Sequence, residues 1–504
     1  MFFVMACGFF GCGADAQKPL SLPASANLAP LAPQEATRES VPPVRDDGHL
    51  PSTVMPLRYA VALDVDPREA RFTGTTHILA SVPRPTSYVV LHGRDLHITR
   101  VEAALANGTV PATASTRKAH LATEADELVL HFAQPLPQGQ ITLRIDYDAP
   151  FAESLSGLYH LTDGGRSYAF SQFEATDARR AFPCFDEPGF KVPFDVSVQV
   201  PAGMIAVSNS PEESRQERGQ KVAFTFATTP PLPTYLVAMA VGDLEIREGK
   251  PGPVPIRLIT TKGKSALGGY ALESTANLVR LLGDYFAIPY PYAKLDVVAV
   301  PDFAAGAMEN AGFVTFREEA LLLDERASAR SRARVDLIIA HELAHQWFGD
   351  LVTAEWWNDI WLNEGFATWM EAKIVDLYKP GTEARLGGVR SAFTAMNLDA
   401  LPSARAVRQP VTSNEETDQA FDEITYDKGA AVIGMIERFV GPDKFREGVR
   451  RYLRANAWKS VRAESFFGEL DRVSEKDVTK LVSTFFDQTG VPTIAVDKKC
   501  DKGT

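Results

Sequence analysis

Cysteine is scarce in this chain of 504 residues, which contains only four. Cys7 and Cys12 lie near the start of the chain, whereas Cys184 and Cys500 are far apart in sequence. Such a distribution offers no disulfide framework of the kind that staples small secreted domains. The fold must therefore depend on hydrophobic cores, and we expect Cys184 to be a small buried residue.

Positive charge is also in deficit, because 52 lysines and arginines face 64 acidic residues and leave a net charge of −12. A nucleic-acid partner is not expected, since a phosphate backbone requires a basic surface. The acidic balance fits a protein that handles cationic groups, and a solvated acidic surface explains it equally well. A chain of this length is too long for one core and predicts several domains.

A long apolar run is missing too, because the opening run MFFVMACGFFGC is too short to cross a bilayer. It resembles the apolar part of a secretory signal, so residues 1–16 are predicted to be a signal-like or lipoprotein leader. Cys7 or Cys12 would carry the lipid anchor. The basic residues expected at the start of a signal are absent, because the first is Lys18. Export to the periplasm or a membrane surface is the prediction, and a cytoplasmic location is the alternative.

The spacing of apolar residues divides the rest of the chain. Proline-rich residues 17–47 predict a disordered tether. Short alternating runs separated by proline and glycine predict an antiparallel β-sandwich or saddle domain over residues 48–248. The period becomes mainly helical over residues 249–490, and residues 491–504 resemble the truncated start of a further β domain. The predicted fold class is therefore α+β with several domains.

One strand at about residues 254–259 is expected before the helices of the second domain. The predicted helices cover about residues 267–286, 328–348, 366–378, 384–397, 429–439, 443–455, 464–473 and 476–488.

Two histidines in this helical region form the most informative pattern of the sequence. His341 and His345, within HELAH, are four residues apart and share one face of a helix. Two imidazoles at this spacing can hold one Zn²⁺, and Glu364, from a later helix, would be the third ligand. Three protein ligands leave one position open, which is typical of a catalytic zinc site. Glu342 is then placed to take a proton from a water molecule at that position.

A chance match on a buried helix is the alternative interpretation of HELAH. The residues on both sides of the motif are mostly apolar, so the helix should be buried. Two histidines and a glutamate on such a helix need partners, because unpaired buried polar groups are costly. A zinc ion would satisfy them.

A zinc ion with a general base could cut a peptide at any of its bonds. Cutting only at the N-terminus needs, in addition, an anion directed at the α-ammonium group. Glu309, in the GAMEN sequence before the zinc helix, is one candidate, and Glu174, in the β region, is a second. Two carboxylates facing one ammonium give charge-assisted hydrogen bonds and fix the position of the substrate. Taken alone, each of these residues is more often a solvated surface charge.

Several motifs occur together and in a fixed order: QFEATDARRAFPCFDEP, GAMEN, HELAHQWFGD, WLNEGFATWME and TYDKG. They resemble the aminopeptidase N family of zinc metallopeptidases, the gluzincins, over about residues 50–496. The resemblance implies an N-terminal β domain and a thermolysin-like catalytic domain with one zinc ion per chain. Family members usually continue into C-terminal β and helical domains, which we expect to be missing here.

The resemblance also implies roles for individual residues. The substrate-binding residues would be Gln172, Glu174, Gly306, Ala307, Met308 and Glu309. Among them Glu309 and Glu174 would bind the free amine, Gln172 and Met308 would border the first specificity pocket, and the others would line the substrate backbone. Tyr426, in TYDKG, would donate a hydrogen bond to the tetrahedral oxyanion. From the residues alone, Tyr426 is a half-buried aromatic.

The predicted function is that of a zinc-dependent aminopeptidase acting on peptides with a free N-terminal amine. An inactive or partner-dependent scaffold is the main alternative, because the C-terminal domain is expected to be missing. An epoxide hydrolase is another, although that branch of the family resembles GGMEN where this chain has GAMEN. A thermolysin-type endopeptidase is disfavoured by Glu309 and Glu174. The oligomeric state stays open, as does the carboxylate that orients the histidines, with Asp350, Glu355 and Asp359 as candidates.

Overall fold

The computed structural model describes residues 40–252 and 254–497. The predicted leader and most of the tether lie outside the described residues, so what we expect of them stays a prediction. Residues 40–47 of that tether contact the β domain, where Arg117 Nη1 donates to the Pro42 carbonyl at 2.6 Å and Val41 packs against the core. Among the residues that the structure describes, none of the helices combines the length and apolarity needed to cross a membrane.

The first domain is built from strands whose apolar residues alternate with polar ones. These strands are β1 (Met55–Asp64), β2 (Arg71–Val82), β3 (Thr86–His92), β4 (His97–Leu105), β5 (Gly108–Lys118), β6 (Ala125–Leu136), β7 (Gly139–Pro150), β8 (Gly157–Asp163), β9 (Arg166–Gln172), β10 (Phe194–Pro201), β11 (Ile205–Ser208), β12 (Glu212–Arg218), β13 (Lys221–Phe226) and β14 (Met239–Gly242).

Two sheets of this domain share one hydrophobic core. Ten strands follow the order β12-β13-β10-β1-β2-β7-β4-β5-β6-β3, with antiparallel neighbours except for the parallel pair β1 and β10. The other sheet has the antiparallel order β11-β14-β9-β8. Tyr59 of the first sheet and Phe170 of the second are both buried in the core, as is Cys184, which is a free thiol. The predicted β-rich domain is thus confirmed.

The second domain combines a mixed sheet with helices. Its strands are β15 (Leu244–Glu248), β16 (Ile256–Thr261), β17 (Leu295–Val300), β18 (Ala307–Met308), β19 (Phe313–Arg317), β20 (Val352–Ala354) and β21 (Lys459–Val461). Its helices are α1 (Gly269–Phe286), α2 (Glu318–Leu321), α3 (Ala329–His345), α4 (Ile360–Tyr378), α5 (Ala384–Asp399), α6 (Asn414–Gln419), α7 (Gly429–Val440), α8 (Pro442–Asn456), α9 (Glu464–Ser474) and α10 (Val478–Phe486).

This domain departs from the sequence prediction in its sheet, at the start of α4, and in the short helices α2 and α6, which the sequence did not predict. The five-stranded sheet, of order β15-β16-β17-β19-β18, contains three strands that the helical pattern did not predict. Every residue of β17 is buried, so the strand lacks the alternation that reveals a half-exposed strand. Helix α4 begins at Ile360 rather than at residue 366, which places Glu364 inside the helix. Gly365 lowers the helical propensity there, but tertiary packing overrides it.

The end of the described chain also differs from expectation. Residues 491–497 form no strand, and the side chains of Ile494 and Val496 are mostly exposed. A strand needs a neighbour for its backbone hydrogen bonds, and within the described part of the chain these residues pair with none.

The two domains are joined beside the end of α3. Lys191, from the β domain, places its ammonium group against the loop after that helix. Its Nζ donates to the carbonyls of Asp350 and Leu351, at 2.5 and 3.0 Å, and to Thr353 Oγ1 at 2.8 Å. This contact keeps the β domain next to the helix that carries HELAH.

Candidate functional site

Helix α3 carries two histidines whose rings meet one turn apart. The helix is capped by Ser328, which precedes its first residue and whose side chain accepts a hydrogen bond from the Ser331 amide. An apolar face that includes Ile339 and Leu343 packs into the core of the second domain. The opposite face brings the Nε2 atoms of His341 and His345 to 3.1 Å from each other.

Glu364 completes a triangle of donor atoms with these two nitrogens. Its Oε2 atom lies 3.4 Å from Nε2 of His341 and 3.4 Å from Nε2 of His345. Tetrahedral zinc with bonds of about 2.0–2.1 Å separates its ligand atoms by roughly 3.3–3.4 Å. The three residues therefore present the donor types and the spacing that one Zn²⁺ requires.

The far side of each imidazole is held by a second group. Nδ1 of His341 donates to Glu371 Oε2 at 2.9 Å, and Nδ1 of His345 lies 3.3 Å from the Phe348 carbonyl. These contacts leave both Nε2 atoms facing the centre of the triangle. Glu371 is thus the carboxylate that orients His341, and it was not among the candidates considered from the sequence.

The three carboxylates that were considered lie elsewhere. Asp350 accepts a hydrogen bond from Gln346 Nε2 at 2.9 Å, and Asp359 accepts one from the Ala463 amide at 2.9 Å. Glu355 is an exposed residue on the segment between β20 and α4. Glu371 is seven residues after Glu364, so helical periodicity places the two on one face of α4 and would have revealed the pair.

The carboxylate of Glu364 and the two facing imidazoles shift each other's pKa toward the charged forms. Burial by itself raises the pKa of Glu364, but the facing His345 and His341 outweigh burial and hold this pKa at about 2. Burial lowers the pKa of His345, whereas Glu309 and Glu364 outweigh it and raise the pKa to about 9. The buried carboxylates therefore attract positive charge to the imidazoles. A metal cation would take the place of protons there, because a ligating imidazole is neutral.

Two further carboxylates approach the centre from other elements. Glu309 follows β18, and Glu174 follows β9 of the first domain; both face the cleft, and Glu309 is buried. Carboxylate oxygens of Glu174, Glu309 and Glu364 all lie within 4.8 Å of one another. One oxygen of Glu174 and one of Glu309 have no hydrogen-bond partner among the described residues. Burial, followed by the charge of Glu309, raises the pKa of Glu174 well above its usual range.

Glu342 projects into the same cleft from α3. Burial raises its pKa to about 8, although His341 acts in the opposite direction. A carboxylate with such a raised pKa has a strong affinity for a proton. Because its pKa is close to neutrality, it is suited to exchange a proton near neutral pH.

Tyr426 reaches the cleft from a π-helical turn, Ile424–Lys428, that leads into α7. Its ring stacks against His341 with 6.2 Å between centroids and an interplanar angle of 21°. The turn lies close to α4 because two glycines meet: a Cβ added to Gly365 would be 3.0 Å from the Cα of Gly429. Burial raises the pKa of Tyr426 well above its usual range, so the phenol keeps its proton and can donate it in a hydrogen bond.

The cleft has an open volume of about 730 Å³ and collects almost every site residue predicted from the sequence. Gly306 is the exception, because it is exposed and its carbonyl accepts a hydrogen bond from the Arg317 amide at 2.9 Å. Four residues that the sequence did not suggest also line the cleft: Ala175, Ala305, Asp418 and Phe421. Asp418 and Phe421 lie a few residues before TYDKG, but no spacing in the sequence pointed to them.

Comparison with known proteins agrees with the geometry. The Peptidase M1 N-terminal domain profile matches residues 55–236, and the Peptidase family M1 domain profile matches residues 270–485. Aminopeptidase M1-C of Oryza sativa subsp. japonica is 37% identical over 475 residues, which cover 93% of this chain and 53% of that protein. The chain belongs to peptidase family M1, the aminopeptidase N family of metallopeptidases that its motifs resemble.

Two other relatives match this chain with similar identity and coverage. Aminopeptidase M1 of Arabidopsis thaliana is 35% identical, with 91% of this chain and 53% of that protein covered. Endoplasmic reticulum aminopeptidase 1 of Mus musculus is 36% identical, with 86% of this chain and 48% of that protein covered. The chain therefore spans about half the length of the curated relatives it matches.

Proposed function

We propose that this protein is a zinc-dependent aminopeptidase that hydrolyses the N-terminal bond of peptides carrying a free amine. One observation carries the proposal: a three-ligand centre and two carboxylates with unpartnered oxygens share one cleft, with Glu364 within 4.8 Å of both carboxylates. The first feature suits hydrolysis, and the second suits recognition of an ammonium group. The relatives are named aminopeptidases, which supports the same conclusion.

His341, His345 and Glu364 would hold the zinc ion. When bound, Zn²⁺ would polarise the scissile carbonyl and lower the pKa of water. Glu342 accepts the proton of the attacking water at its carboxylate and passes it to the departing amine. The phenol of Tyr426 donates a hydrogen bond to the oxyanion that forms from the scissile carbonyl.

The substrate is positioned by groups of both domains. Glu309 and Glu174 accept hydrogen bonds from the α-ammonium group, and their negative charge fixes the substrate's first residue beside the centre. Strand β18 is the edge strand of the five-stranded sheet, and no other described strand pairs with its outer edge, which could therefore pair with a peptide backbone. The thermolysin-like organisation of the second domain belongs to this proposal. Export and a lipid anchor at Cys7 or Cys12 stay predictions.

The decisive experiment compares free and blocked amines. The zinc-loaded parent protein should cleave a free-amine peptide and leave its N-acetylated form intact, because acetylation removes the charge that Glu309 and Glu174 recognise. Glu309→Ala should lower kcat/KM for the free-amine peptide by about 10-fold or more, since charge-assisted hydrogen bonds are lost. Mass spectrometry of the products identifies the cleaved bond.

Rapid internal cleavage of the N-acetylated peptide would instead favour an endopeptidase. Opening of an epoxide substrate without any peptide cleavage would favour the epoxide hydrolase. A zinc-loaded protein that cleaves neither would fit the partner-dependent scaffold. Each alternative therefore has its own outcome in the same assay.

A further inference from the structure

The cleft carries an acidic group that the proposed chemistry does not use. Asp418 lies near the end of α6 and lines the cleft together with Phe421. Within residues 40–252 and 254–497, the Asp418 carboxylate forms neither an ion pair nor a side-chain hydrogen bond. Part of its surface is exposed to solvent, so its charge is available to a molecule that enters the cleft.

The charges around Asp418 favour a cation. The charged groups that line the described cleft are five carboxylates and two imidazoles, with no lysine or arginine. Asp177 and Glu415 add negative charge near Asp418, and Arg94 is the cation that acts on it. Burial, followed by Asp177 and Glu415, raises the pKa of Asp418, as expected for an anion that has no cationic partner in contact.

A second acceptor lies deeper in the same cleft. Gln172 is buried, its Nε2 donates to the sulfur of Met308 at 3.4 Å, and its Oε1 has no partner among the described residues. A buried amide oxygen without a partner is costly, and a ligand N–H group would satisfy it. A purely aliphatic ligand would leave that cost in place.

Apolar residues line the same cleft. Phe421 and Met308 offer an aromatic ring and a flexible thioether, while Ala175 and Ala305 have small side chains that leave room. The methylene stem of a long side chain would pack against such walls. A guanidinium group would also gain from the face of the Phe421 ring.

We infer that the cleft selects peptides whose N-terminal residue is arginine or lysine, with Asp418 and Gln172 accepting hydrogen bonds from the cationic end of that side chain. Phe421 and Met308 pack along its methylene stem. This inference rests on the proposed aminopeptidase function and names its substrate class. An acidic first residue is disfavoured, because it would add a further carboxylate to the cleft.

The experiment uses zinc-loaded protein and four fluorogenic aminoacyl amides: arginyl, lysyl, citrullinyl and norleucyl. Citrulline has nearly the shape of arginine without the charge. The ratio of kcat/KM for the arginyl amide to that for the citrullinyl amide therefore measures the effect of the positive charge. The parent ratio should be about 5- to 10-fold, because a partly exposed ion pair is screened by water. The ratio should shrink as salt is added.

Asp418→Asn should bring the arginyl-to-citrullinyl ratio close to 1, and Asp418→Glu should retain part of it. Glu415→Gln is the matched control, because it removes a neighbouring exposed charge from the same helix without touching the cleft. Its ratio should stay within about 2-fold of the parent. A general change of field or of stability would move both variants alike, whereas a specific contact moves only Asp418.

The results distinguish failure of the preference for arginine and lysine from failure of the aminopeptidase proposal. Faster hydrolysis of the norleucyl amide than of the arginyl and lysyl amides, or equal rates for arginyl and citrullinyl, overturns this inference alone. Equal effects of Asp418→Asn and Glu415→Gln do the same. No hydrolysis of any of the four amides overturns the aminopeptidase proposal and this inference with it.

Discussion

The two sides of the cleft differ in how their polar atoms are satisfied. On the helical side, Glu364 lies between two imidazoles, and Glu371 holds the far nitrogen of His341. On the side formed by the segments after β9 and β18, Glu174 and Glu309 each keep a buried oxygen without a hydrogen-bond partner among the described residues, although Oε1 of Glu309 lies 3.8 Å from Nδ1 of His345. A partnered, rigid set suits an ion that stays, whereas unpartnered acceptors suit a molecule that arrives and leaves. Under the proposed function, the first side would hold the metal ion and the second would hold the substrate.

Removing one of the three proposed metal ligands should have the largest effect on the helical side of the cleft. His341→Ala deletes one of three donors, so zinc content should fall from about one ion per chain to near zero and activity should disappear. Metal analysis after dialysis measures the change, and circular dichroism checks the helix, which alanine favours. His97→Ala, an exposed histidine on β4, is the control and should keep its zinc. Retention of one zinc by His341→Ala would contradict the ligand assignment.

Changing the base should separate metal binding from chemistry. Glu342→Gln keeps the shape of the side chain but cannot accept the proton, so turnover should fall by about 100- to 10,000-fold. Zinc content should match that of the parent protein, because Glu342 is not a ligand. Steady-state kinetics on zinc-matched samples provides the measurement. Normal turnover would show that another group removes the proton.

Tyr426→Phe should have the next largest effect. Losing one donor to a developing oxyanion typically costs about 100- to 1,000-fold in turnover, or about 2.7–4 kcal/mol. Zinc content and the Michaelis constant should be nearly unchanged, because the hydrogen bond strengthens only as charge develops. A drop of less than about 3-fold, roughly 0.65 kcal/mol, would remove the phenol from the mechanism.

The smallest of these effects is expected at the group that orients a ligand. Glu371→Gln weakens the hydrogen bond to His341 Nδ1 and should reduce zinc affinity by about 10- to 100-fold. Competition with a chelator of known affinity measures it. Asp376→Asn, further along α4 and paired with Arg385, is the matched control. Equal zinc affinity for the two variants would mean that Glu371 does not support the site.

The sequence was most informative where the site depends on local geometry. His341 and His345 occupy one helix, so their spacing alone predicts that their rings meet. Glu371 could have been found from the same periodicity, whereas Asp418 enters the cleft through tertiary packing that spacing does not encode. The buried strand β17 was missed for a related reason, because a strand covered on both faces carries no alternating pattern.

The contact between Gly365 and Gly429 has a consequence for how the site can change. A methyl group on Gly365 would press on the backbone of Gly429, and one on Gly429 would lie 3.2 Å from the Cα of Gly365. The two positions, one beside a metal ligand and one beside the phenol-bearing turn, therefore behave as a single steric unit. A variant library that alters either position alone would vary the gap between α4 and that turn by tenths of an ångström, which makes the pair a means of grading activity without replacing any reacting group.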